Sequence, residues 1–248
     1  MHIDDGWRDG LPVLAGKLVT VREIAFEDVP SLHVLIASDP RVTEYISPPP
    51  PSIVALQGFV AWAHDERAAG RLVCYAVVPH GLRYAVGVFQ IKKLQPGFTV
   101  AEWGFALGSS FWGTGMFEDA AVLVADFAFD TLGVHRLEGR AVTANGRANG
   151  ALTKIGAKGE AVLREGLRRG SVFMTQYLWT LTSAEWQQQH SALRTRFSPA
   201  DVENHILAAI NEANQQLTAA APSSNSPIDS IARHPFVIWG GLDGHSKD

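Results

Sequence analysis

The run AEWGFALGSSFWGTGMFEDAA, residues 101–121, constrains this chain more than any other. An alternating, strand-like stretch ends near Leu107, passes through Gly113-Thr114-Gly115, and enters a segment where Phe117, Ala120, Ala121, Val124 and Ala128 recur at helical spacing. A strand feeding a helix through such a bend leaves the first helical N–H groups without internal partners. The helix dipole also favours negative charge there. Glycines let the backbone approach an anion closely. No Gly-Lys-Ser/Thr follows, so the bend is not a P-loop, and no third glycine completes a dinucleotide fingerprint. Any anion held here is gripped by main-chain donors without magnesium. Taken alone, the same residues also read as a plain tight turn.

The rest of the chain supplies alternating strands and helices. Residues 18–23 alternate as a first strand, and a helix opens near Asp28-Pro30 and ends at Asp39-Pro40. Ser52 is placed to cap a second helix that closes at Gly70. Residues 72–78, 84–94 and 99–107 read as strands joined by turns at Pro79-His80-Gly81 and Gln95-Pro96-Gly97. After the central helix, residues 135–143 form a strand, 147–155 a short helix, and 161–167 with 172–181 a closing pair. A strand, a helix and a strand in succession predict one parallel pair within an otherwise antiparallel sheet. The fold class is therefore α+β, a mixed and mostly antiparallel sheet flanked by helices.

Composition narrows the function. With 248 residues, 46% of them hydrophobic, the chain is long enough for a sizeable core. A net charge of −4 and the lack of any basic run argue against a nucleic-acid or membrane partner. Cys74 is the single cysteine and the nine histidines are scattered, so no disulfide and no metal site is expected. The start, MHIDDGWRDG, has no apolar signal region, and residues up to about Leu11 read as a loose arm; the simplest location is the cytoplasm. Residues 1–186 form the expected main domain. Residues 187–248 form a C-terminal extension: an amphipathic helix over about 199–219 with Ile206, Ile210, Ala213 and Leu217 on one face, a linker at 221–227, and an apolar tail at 235–239. That tail must dock on this chain or on a second copy, which makes a homodimer through the extension a possible assembly.

Residues 101–121 resemble the acetyl-CoA-binding motif of the GNAT superfamily of N-acetyltransferases, in its ribosomal-protein N-terminal acetyltransferase (RimJ/RimL-like) branch. A second block, Asn145-Gly-Arg-Ala-Asn-Gly-Ala-Leu-Thr-Lys154-Ile-Gly156-Ala157, matches that family's spacing after a strand. Gly159, residues 163–166, Trp179 and Glu185-Trp186 resemble its closing strands, so the likeness spans roughly residues 11–186. The resemblance implies acetyl-CoA as cosubstrate, no metal, and an amine acceptor, either a protein N-terminus or a small molecule. It implies cofactor contacts from Phe105, Ala106, Leu107, Ser110, Phe111, Trp112, Gly113, Thr114, Gly115, Met116 and Asn145. Four positions depart from it: Ser110 stands where an Arg or Gln is usual, Ala148 and Ala157 where a Ser and a Phe are usual in the second block, and Leu152 where many members carry a Tyr.

Acetyl transfer to an amine requires that the amine lose a proton as it attacks. Glu102 is the candidate base: it shares a strand face with the small residues Gly104 and Ala106, opposite Trp103, Phe105 and Leu107. The resemblance also implies a glutamate in this role. The competing reading is a carboxylate that faces solvent or pairs with a basic neighbour such as Arg140. The main-chain amides near Ala106 and Leu107 are expected to face the thioester. A non-catalytic acyl-CoA-binding module with the same fold is the alternative function.

Overall fold

The computed structural model describes residues 5–195 and 203–220. The local signals place most elements. After β1 (Leu14–Ala15) and β2 (Val19–Glu23), α1 (Val29–Leu32) runs on as a π-helical turn, His33–Ala37. Asp39 then caps a short α2 (Pro40–Thr43) by accepting the Arg41 N–H at 2.9 Å. Ser52 caps α3 (Ile53–Ala68) in the same way, through the Ala55 N–H at 3.2 Å. Next come β3 (Leu72–Pro79), β4 (Gly87–Lys93) and β5 (Val100–Leu107), then α4 (Met116–Asp126). The chain continues through β6 (Arg136–Val142), α5 (Gly146–Lys154), β7 (Lys158–Arg169), β8 (Val172–Thr182) and α6 (Ser183–Thr195) to α7 (Glu203–Ala219).

The strands form one sheet in the order β1-β2-β3-β4-β5-β6-β8-β7. Its pairs are antiparallel except β5 with β6, the strands that flank the central helix, as the strand–helix–strand pattern predicts. That parallel ladder is short. It joins Val100, Ala101 and Glu102 to Arg136, Leu137 and Glu138, and then the two strands part. The sheet is covered on both sides. Trp103, Phe105 and Leu137 face the layer that includes α4, and Phe105 lies 4.5 Å from Phe117 of that helix. Cys74, Ala76 and Ala106 face the layer of α1 and α3, against Leu56, Phe59 and Val60.

Two carboxylates lock the helices to the sheet. Asp28 is fully buried and accepts both Arg22 guanidinium nitrogens at 2.7 Å and the N–H groups of Ala25 and Ala85. Asp119, in the first turn of α4, accepts the N–H groups of Lys17, Leu18 and Val19 at 3.1, 2.8 and 3.1 Å. It thereby fixes the start of α4 against β2. A side chain at Gly16 would collide with this carboxylate, with a Cβ only 2.3 Å from Oδ2. Asp119→Ala leaves three amides to find new partners and should cost about 2 kcal/mol in urea unfolding. Asp119→Asn, which keeps one acceptor oxygen, should cost less.

Three expectations need amendment. The N-terminal arm is docked: Trp7 is 4% exposed and packs edge-on to Phe98 at 5.7 Å, so an aromatic anchor overrides the polar composition around it. Trp186 lies within α6, stacked on Phe129 at 6.0 Å and donating to Asp126 at 2.8 Å, so that position is held in the core. The face that α7 buries centres on Ala209 and Ala213, with Ile206 and Ile210 packed beside them. The linker at 221–227, the apolar tail at 235–239 and the Ser198-Pro199 helix start lie outside the described residues.

Candidate active site

Where β5 and β6 part, a cavity of about 690 Å³ opens. Residues 103–107 of β5 form one wall, Arg140 and Ala141 of β6 another, and the bend between β5 and α4 with the start of α5 complete it. The opposite end is closed by residues 41, 42 and 44–46, between the first two predicted helices, and by Gln176 of β8. The geometry follows from the short ladder. Past Glu102 the two strands have no ladder partner in each other, and residues of both line the cavity.

The bend itself is built for close approach. Gly113 and Gly115 both adopt left-handed conformations, with φ of 78° and 82°, and Gly115 caps α4. A Cβ at Gly113, Gly146 or Gly150 would meet nothing within 4 Å, so the backbone at these three positions is open to a ligand. The Thr114 hydroxyl donates to the Phe111 carbonyl at 2.7 Å and lies 3.4 Å from the Met116 amide, holding the bend from beneath. An extended diphosphate-bearing ligand therefore fits the residues present, with the helix start on one side and open glycines on the other.

Of the predicted contact residues, Phe105, Ala106, Leu107, Phe111, Trp112, Gly113, Gly115 and Asn145 line this cavity. Ser110, Thr114 and Met116 do not. Thr114 and Met116 are buried under the bend, and Ser110 faces α7 through Gln216 at 3.4 Å. Asn145 caps α5 by accepting the Ala148 N–H at 3.0 Å, which orients its amide at the cavity edge. Asn149 fastens the same helix, donating to the Val142 and Asn145 carbonyls at 3.0 and 2.9 Å.

Glu102 is 2% exposed and stands behind the cavity wall, beside its lining residue Arg140. Arg140 Nε lies 3.3 Å from Glu102 Oε1, although neither atom has a hydrogen-bond partner. Burial pushes the Glu102 carboxyl up to about 7, only partly offset by the positive charges of Arg140 and Lys92. A carboxyl tuned to that value, at the point where two strands separate, is suited to accept a proton near neutral pH. Cys74, by contrast, is fully buried, and desolvation holds its thiol well above the ordinary range, so it is no nucleophile.

Sequence reasoning missed several lining groups. Arg147 stacks over the Trp112 ring at 4.1 Å, and the Trp112 indole donates to the Leu107 carbonyl at 2.8 Å. This stack joins the end of β5 to the first turn of α5. The signal was present, since Arg147 sits two residues after the recognised Asn145, but its partner is 35 positions away in sequence. Arg41, Arg140, Arg147 and Lys154 line the cavity against only Glu44 and Glu118, a balance that favours an anionic ligand. Arg147→Ala should weaken binding of an anionic ligand in this cavity about three- to tenfold, as removal of one partly exposed charge predicts.

Residues 19–158 match the family described as "Acetyltransferase (GNAT) domain". The "Uncharacterized N-acetyltransferase p20" of Bacillus licheniformis is 22% identical over 177 residues, covering 71% of this chain and 99% of that protein. Among solved structures, Mycobacterium smegmatis RimJ in complex with CoA-disulfide superimposes with a TM-score of 0.67 at 19% identity, covering 73% of this chain and 91% of that one. A GCN5-related N-acetyltransferase from Brucella melitensis gives 0.66 at 16% identity, covering 76% and 86%. At these identities the structural likenesses carry the fold, which is the mixed sheet described above. No helix among the described residues is long and apolar enough to cross a membrane.

Proposed function

The chain belongs to the GNAT acetyltransferase family, and on that footing we propose that it moves an acetyl group from acetyl-CoA to a primary amine by direct attack in a ternary complex. The observation that supports this reading best is the separation of β5 and β6 after Glu102. It opens one continuous cavity with a diphosphate-sized cradle at one end and a side-chain wall, residues 41–46, at the other.

Acetyl-CoA supplies an activated acyl group as a thioester. The chain's own residues do the rest. The main chain at Gly113 and Gly115 and the Arg147–Trp112 stack hold the diphosphate and nucleotide end. The β5 main chain beyond Glu102 aligns the thioester and polarises its carbonyl. The amine enters past Arg41, Glu44 and Tyr45 and attacks the carbonyl carbon. The C–S bond breaks, the thiolate leaves, and the proton released by the amine passes through water to Glu102. A protein α-amino group, with an unperturbed pKa of about 8, needs less help than a lysine side chain at about 10.4. Peptide N-termini and small amines are both accommodated by this scheme.

A second reading, an acyl-CoA-binding module without catalysis, draws on the placement of Glu102 behind the wall and its pairing with Arg140. An acetyl-CoA consumption screen across peptides with free N-termini, polyamines and aminoglycosides separates the two. Turnover with any of these classes supports transfer. Silence across all of them, with coenzyme A still bound, supports the module.

A further inference from the structure

Helix α7 lies outside the stretch that the family match covers, yet it packs against the Ser109–Phe111 turn, whose Phe111 lines the cavity, and against the π-helical turn His33–Ala37. Its seam is made of small residues: Ala209 is 3% exposed and Ala213 fully buried. That lets the helix axis come close to the Ser109–Phe111 turn and to the π-helical turn His33–Ala37. Polar ties fix its rotation. Tyr84 donates its hydroxyl to Asn214 Oδ1 at 2.6 Å, and Gln216 Nε2 reaches Ser110 Oγ at 3.4 Å and Glu212 Oε1 at 3.2 Å. Glu212 also adds to the negative field at Arg41, which lines the cavity.

The turn that α7 grips leads directly into the glycine bend. Ser109 donates to Asp39, which also caps α2 and pairs with Arg41 at 3.0 Å. Phe111, fully buried, lines the cavity, and its carbonyl receives the Thr114 hydroxyl. The bend between has two left-handed glycines and no side chain of its own at those positions to hold it. Its orientation therefore depends on what anchors the residues just before it. A loop held in its bound conformation binds more tightly because less freedom is lost on binding. Together these contacts form a continuous path from α7 through Ser109–Phe111 to residues 113–115.

We propose that α7 is a positioning element for acetyl-CoA: by clamping Ser109–Phe111 through Gln216 and the Ala209–Ala213 seam, it pre-orders the diphosphate-binding bend. The proposal rests on the acetyl-CoA reading above and gives a role to the segment beyond the matched domain. Gln216 touches no reacting atom and acts through Ser110.

The test uses the full chain and two variants, with coenzyme A as probe. Ala213→Glu places a carboxylate in the buried seam and should lift α7; Gln216→Leu removes only the polar tie. Calorimetry should show coenzyme A binding weakened about tenfold by Ala213→Glu and about threefold by Gln216→Leu, since each loosens part of a pre-ordered loop. For both variants KM for acetyl-CoA should rise in parallel while kcat at saturation stays at the wild-type value, a split that general loss of structure would not give. If Ala213→Glu does not fold, Gln216→Leu decides alone. Unchanged coenzyme A affinity in the folded variants overturns the positioning role and leaves the acetyl-CoA reading intact. Failure of the wild-type chain to bind coenzyme A overturns both.

Discussion

Glu102→Gln should lower turnover about 10²- to 10⁴-fold, the usual worth of a positioned proton acceptor, while coenzyme A affinity stays within a factor of two or so. The same change should make the protein more stable in alkaline solution. Burial raises the Glu102 carboxyl to about 7, so folding disfavours its ionised form. A carboxyl whose folded value is raised gives full stability below its unfolded value. That stability is lost as pH rises from the ordinary carboxylate range through about 7. Gln behaves like the permanently neutral acid. At pH 8 Glu102→Gln should therefore be more stable by about 3 kcal/mol, and at pH 5 by less than about 1 kcal/mol, in paired denaturant titrations. Activity runs the other way with pH. The base form of Glu102 predominates above about 7, so wild-type kcat/KM should climb through that value and Glu102→Gln should lose the inflection. A variant that is inactive yet more stable is the mark of a strained functional carboxylate, because a surface glutamate produces neither effect. Equal stability at pH 8 together with full turnover would return Glu102 to the role of Arg140's partner.

Gly115→Val should reduce coenzyme A affinity about 100-fold, because a β-branched residue at φ 82° is forced out of the left-handed region and carries the first amides of α4 with it. Gly113→Ala provides the contrast. It has nearly the same φ, 78°, but its Cβ would meet no atom within 4 Å, so only backbone strain opposes it. Strain of that kind costs about 1 kcal/mol for alanine, which predicts a loss of five- to tenfold. The order Gly115→Val well below Gly113→Ala, with wild type best, should appear both in coenzyme A binding and in KM for acetyl-CoA. Circular dichroism should show the fold intact in both, since neither glycine belongs to the buried core.

Much of the fold was readable because its signals are local. Ser52 caps the helix that begins beside it, and Asp39-Pro40 closes the first helical run, although the short α2 that Asp39 goes on to cap was not legible. The alternation in residues 99–107 sorts Glu102, Gly104 and Ala106 to one face and Trp103 and Phe105 to the other. The glycine bend was readable for the same reason, since both strand and helix adjoin it. What could not be read are encounters between distant residues. Arg147 on Trp112, Gln176 beside the cavity, and the wall of residues 41–46 depend on how the sheet parts, which no local period encodes. Trp7 looked like part of a polar arm because its partner, Phe98, is far along the chain. The α7 face was read in large part: Ala213 is buried and Ile206 and Ile210 pack against the core, but Ala209, which completes the seam against Ser109–Phe111, carried no signal in the apolar period. The Glu102–Arg140 ion pair was one of two alternatives in the sequence, and the structure contains it without excluding the proton-accepting role.

All of this depends on the main-chain amides at the start of α4 being free to receive a diphosphate. Isothermal titration of the pure protein with coenzyme A examines that directly. The account predicts one equivalent bound, with inorganic pyrophosphate competing at higher concentration and Gly115→Val giving little or no heat. No uptake of coenzyme A by the wild-type chain, or equal uptake by Gly115→Val, would contradict it.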